Sequence, residues 1–171
     1  MGQTIISAGL IVLVTIAVIN ANRLIINSQT TKLEAQARLE ASDIALEIIT
    51  EARMRRFDER ATDTSQYYSA SAFTDDSDLG PESGESFALP DTVPYKSPGR
   101  YNDYDDYNGY RRKVSTTTLT GYNVWCKVYY ATPTYPDKLT NSRTYVKTLE
   151  VYISHPLYLE DTLRISMTKT Y

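Results

Sequence analysis

Residues 1–23 read MGQTIISAGLIVLVTIAVINANR, and Arg23 is the first charged side chain of the chain. Between Ile5 and Ile19 only Ser7, Gly9 and Thr15 are not plainly apolar. At ~1.5 Å rise per residue, a helix from Gln3 to Asn22 spans about 30 Å, the thickness of a bilayer hydrocarbon core. Met1 to Thr4 hold no Lys or Arg, so the expectation is a retained segment rather than a secretory signal. The large apolar residues are spread all round the helix. Burying each is worth roughly 1.5–3 kcal/mol, so leaving the set in water would cost on the order of a whole domain's stability. The segment must end in lipid or inside protein. Lipid tails are about as apolar as leucine, so helices can leave a bilayer for a bundle where small residues allow close packing. Ser7, Ala8, Gly9, Ala17 and Ala21 offer such places.

Downstream, no proline occurs before Pro81 and no glycine between Gly9 and Gly80, so nothing obligatory breaks a helix. Ala37, Ala41, Ile44, Ala45, Ile48 and Ala52 recur at three- and four-residue steps, with charged residues between them, which is the pattern of an amphipathic helix. One long element is expected from about Gln3 to about Phe57. It is continuous or kinked near Asn27–Thr31, where Thr31 and Glu34 fit a capping box.

From Ala61 to Arg100 the chain is rich in Ser, Thr, Asp, Gly and Pro, the composition of an irregular surface connection. YNDYDDYNGYRR then places Tyr101, Tyr104, Tyr107 and Tyr110 at every third residue, with Asp103, Asp105 and Asp106 between them. Such oxygens suit calcium, but in the twelve-residue calcium-loop spacing Tyr104 would take the first ligand position. A tyrosine-pinned turn packed on the domain or a neighbour is the favoured alternative, with the carboxylates facing neighbours and solvent. After Tyr110 the period becomes two: Tyr122, Val124, Cys126, Val128 and Tyr130 share one face, and Tyr145, Leu149, Val151 and Ile153 another, with Lys147 a misfit; Leu163, Ile165 and Met167 alternate with polar residues. Arg112 to Leu119 supplies a fourth candidate strand. The expected fold is α+β: a long N-terminal helix, apolar then amphipathic, packed on an antiparallel sheet of three or four strands. The expected divisions are 1–22 apolar helix, 23–60 amphipathic helix, 61–110 irregular loop and 111–171 sheet.

The 171 residues carry a net charge of -3, one cysteine and one histidine. That balance lacks the basic face of a nucleic-acid binder. Cys126 has no second cysteine to pair with in the chain and reads as a buried strand residue. His155, before Pro156, reads as a turn residue. No catalytic constellation, cofactor site or metal site is expected, and the chain is not expected to be an enzyme.

The succession of a charge-free helix, an amphipathic helix (ALEIITEARMRRFDE, residues 45–59), an irregular loop and an antiparallel sheet resembles the type IV pilin and type II secretion pseudopilin superfamily. Gly2 stands where a prepilin peptidase glycine would stand, which makes Gly2 and Gln3 the candidate processing site. Ser7 then occupies the fifth mature position, where pilins usually carry a glutamate. The resemblance implies assembly by an ATPase machine and roles in adhesion, motility or secretion. The expected function is that of a subunit of an extracellular helical filament, a homopolymer drawn from a cytoplasmic-membrane pool. Its assembly interface is expected at Ile5, Ile6, Gly9, Leu10, Leu13, Ile16, Ala17, Ile19 and Ala21. The alternatives are a single-pass anchored binding domain that never polymerises and a minor pseudopilin.

Overall fold

A single helix, α1 (Gly2–Arg53), runs through both the apolar and the amphipathic stretch without a break. The computed structural model describes residues 2–61 and 67–171; the side chains of residues 4 and 5, and with them that of Ile5, lie outside the described residues. The mediocre helix formers at 27–31 cause no kink. Thr30 and Thr31 instead donate their hydroxyls to the carbonyls of Ile26 (3.1 Å) and Asn27 (3.0 Å) one turn back. That arrangement satisfies the hydroxyls inside a continuous helix, so Thr31 caps nothing. The helix ends at Arg53, a turn short of Phe57, and Phe57 packs instead beside Phe73 in a separate cluster.

The sheet has five antiparallel strands: β1 (Arg111–Ser115), β2 (Thr120–Thr132), β3 (Tyr135–Leu139), β4 (Val146–Ser154) and β5 (Leu163–Thr170). Their order is β1-β2-β4-β5, with β3 paired to the far end of β2. Three or four strands were expected, and β3 is the addition. It lies in the connection ATPTYPDKLTNS, and all five of its residues are exposed. With no buried face it carries no alternation to read, and Pro136 fits only such an edge position.

α1 lays Ala37, Ala41, Ile44, Ala45, Ile48 and Ala52 on the inner face of the sheet, where Val124, Cys126, Val128, Leu149, Val151 and Ile153 meet them. The four alanines are fully buried. Small side chains bring the helix backbone close to the sheet, and the space beside it is filled by rings from the loop. Tyr101, Tyr104, Tyr107 and Tyr110 are all buried in this same core. Tyr101, Tyr107 and Tyr110 meet edge to face, with centroids 5.0 to 6.0 Å apart. Their hydroxyls reach partners at the rim: Tyr104 donates to the Met167 carbonyl (2.8 Å), Tyr107 to Glu51 (2.5 Å) and Tyr110 to Asp91 (3.1 Å). The turn is pinned by tyrosines onto its own domain. The expectation that the carboxylates face neighbours and solvent is corrected, because Asp103, Asp105 and Asp106 are also fully buried.

Candidate functional site

Among the described residues, the first half of α1 packs against no other part of the chain. Leu33 is the first of its side chains to pack against the core, and every described residue before it is exposed. From Gly2 to Lys32, at ~1.5 Å per residue, about 45 Å of helix stands clear of the domain. Leu13 is 68% exposed, Ile16 54% and Ile19 47%. Among the described residues this is the one helix long and apolar enough to cross a membrane.

At 100° per residue, Ile6, Gly9, Leu10, Leu13, Ala17 and Ala21 fall on one face. Ile16 flanks that face and Ile19 lies on the opposite side, so the nine residues of the expected interface do not form a single stripe. Ala17 and Ala21 make a small-xxx-small pair, the spacing that lets two helix backbones approach in an apolar medium. A Cβ added at Gly9 would meet no heavy atom within 4 Å. The two hydroxyls in the segment are satisfied internally: Ser7 donates to the Gln3 carbonyl (2.9 Å) and Thr15 to that of Ile11 (2.8 Å). No polar side chain between residues 6 and 19 therefore asks for water, which is the condition for burial in lipid or in a bundle. Gly2 and Gln3 sit exposed in the first helical turn.

A cluster of buried acidic and basic side chains lies at the other end of α1. Lys147, the misfit of the strand pattern, is fully buried and donates to Asp58 (2.9 Å), Asp105 (2.5 Å) and the Phe57 carbonyl (2.9 Å). Its ammonium also lies over the rings of Phe57 and Tyr130. These partners come from three parts of the chain, so no local pattern announces them. Asp103 accepts the backbone N–H groups of Glu59, Asp105 and Asp106. Burial and then the neighbouring Asp105 push its carboxyl up to about 9, against the pull of the Lys147 ammonium. Arg112, also buried, makes a two-pronged contact with Glu47 on α1 (2.7 and 3.5 Å) and stacks over Tyr95.

A second carboxyl group set, Glu82, Glu85 and Asp106, converges beside this network. Burial, then Glu85, pushes Glu82 up to about 8, and burial pushes Asp106 up to about 6. These three are the described residues with the geometry to hold a metal ion. Sequence reading missed them as a set, because Glu82 and Glu85 come from the loop and Asp106 from the tyrosine turn.

Cys126 is buried in β2, where burial pushes its thiol up to about 12. His155 closes the turn after β4. Its Nδ1 accepts the backbone N–H groups of Leu157 and Tyr158 (3.2 Å each), which leaves Nε2 to donate to the Thr120 carbonyl (3.1 Å). Comparison with protein-family profiles, curated proteins and solved structures finds no match to this chain.

Proposed function

We propose that the chain is a structural subunit of a pilus-like helical filament, held in a membrane by the free half of α1 and polymerised by bundling that half with copies of itself. The observation that carries this reading is the helix itself: an apolar surface exposed all round, with its hydroxyls internally satisfied and a small-residue face at Gly9, Ala17 and Ala21. A repeated head-to-tail contact that does not close gives a fibre, and the sheet domain would form its outer wall. The long helix on an antiparallel sheet is compatible with a pilin-like architecture, and an extracellular place for the fibre follows from that resemblance.

A lone membrane anchor explains the apolar character equally well, and the two readings part at the small residues. Lipid tolerates any apolar side chain, whereas a tight bundle does not. Gly9→Leu and Ala17→Leu place bulk where the isolated chain has room, and leucine favours the helix over glycine by somewhat under 1 kcal/mol. The variants should insert into membranes and fold as the parent does, yet fail to assemble, as read by membrane fractionation beside sedimentation of sheared surface material. Normal fibre yield from both variants would remove the bundling reading. Insertion without any particulate material from the parent chain would leave the anchored domain.

A further inference from the structure

Glu82 and Glu85 flank the turn at Gly84, and Asp106 lies in the 3-10 turn Asp105–Tyr107. One carboxyl oxygen from each lies within 4.8 Å of one from both others. Asp106 is fully buried. Its Oδ2 is committed to the backbone N–H groups of Asn102 (2.7 Å) and Asp103 (3.0 Å), while its Oδ1 is shielded from water with no donor in reach. Glu82 Oε2 and Glu85 Oε2 are orphaned in the same way. The other oxygen of Glu85 accepts from the Asn102 side chain.

Leaving a buried acceptor unmet costs free energy, more so when it is charged, and here three such acceptors meet. The neighbouring cations are engaged elsewhere: Lys147 with Asp58 and Asp105, and Arg100 with the Gly84 carbonyl (2.8 Å). No ion pair among the described residues includes Glu82, Glu85 or Asp106. Glu59 and Asp105 add further negative charge nearby. Glu82 and Glu85 are only half-buried, so their long side chains could swing into water. Their convergence calls for a cation among them or for protons shared between the carboxyls.

We propose that Glu82, Glu85 and Asp106 bind a hard divalent cation, calcium in particular. The donor set is oxygen alone, which suits calcium or magnesium and not the softer metals. Three oxygens within 4.8 Å of one another can close on such an ion, calcium accepts the irregular geometry of loop donors that magnesium resists, and the half-open side toward Glu82 and Glu85 leaves room for water to complete its shell. The ion would fasten the acidic loop to the tyrosine turn, and through Tyr107 to Glu51 of α1. This site does not depend on whether the chain polymerises.

The test uses the full chain in detergent, freed of divalent ions by a chelator, with thermal unfolding followed as calcium or magnesium is added. A ligand at one hundred times its Kd raises Tm by roughly 5–10 °C for a protein of this size. That rise is expected with calcium and a smaller one with magnesium. Asp106→Asn disturbs a buried turn and can unfold the chain for that reason alone. The informative variant is therefore Glu82→Gln with Glu85→Gln, at half-exposed positions, which should fold and lose the calcium-dependent rise. Terbium luminescence excited through tyrosine should appear in the parent and vanish in the double variant. The proposal is overturned by an unchanged Tm at 100-fold higher calcium than a ~0.1 mM site requires, which would mean that shared protons hold the carboxyls together. It is equally overturned by a rise of the same size in parent and double variant, which would place the ion elsewhere.

Discussion

The two halves of α1 are both rich in alanine and aliphatic residues, and both are continuous helix, yet they hold opposite positions. In the half from Leu33 to Arg53, Ala37, Ala41, Ala45 and Ala52 lie fully buried against the sheet on one side, and charges occupy much of the other. In the half from Gly2 to Lys32, Ile6, Leu10, Leu13, Ile16 and Ile19 are all exposed, and apolar residues occur at every angle. The difference shows that hydrophobic content alone does not place a helix. An apolar stripe finds its cover within the domain, while an apolar cylinder has no one side to offer and needs cover from all directions. The domain uses one half of the helix as a structural wall and leaves the other for a second environment.

Three substitutions sharpen this contrast, taken from the largest expected effect to the smallest. Lys147→Ala leaves Asp58 and Asp105 facing each other without their shared cation. Removing one partner of a buried ion pair costs about 3–5 kcal/mol, so chemical denaturation of the domain should show a loss of that size with membrane insertion unaltered. A loss below ~1 kcal/mol would mean that the network carries little of the fold. Next, Ala45→Leu forces bulk between helix and sheet and should cost about 1–3 kcal/mol through overpacking. The same replacement at Ala17 should leave domain stability within about 0.5 kcal/mol. Equal losses at the two positions would show that the halves of α1 are not independent.

How much of this was legible in the sequence follows the same division. The amphipathic half was readable because its alanines recur at helical steps, and β2, β4 and β5 because apolar residues alternate along them. The apolar half was readable as a surface in need of cover, though the covering partner lies outside one chain's sequence. Four features were hidden. β3 has no buried face and so no period. The run of aspartates after Tyr101 looks solvated, yet backbone N–H groups hold both oxygens of the buried Asp103 and one oxygen of the buried Asp106. Lys147 reads as an error in a strand until Asp58 and Asp105, far away in sequence, are folded around it. Glu82, Glu85 and Asp106 were hidden for the same reason: their meeting depends on how the loop closes over the tyrosine rings.

The most direct test of the central claim is electron microscopy of material sheared from cells that make the chain and prepared without detergent. Helical fibres, with rods of density for the free half of α1 bundled along the axis and the sheet domains outside, are the expected result. Single chains found only in membranes, each with that half surrounded by lipid, would contradict it.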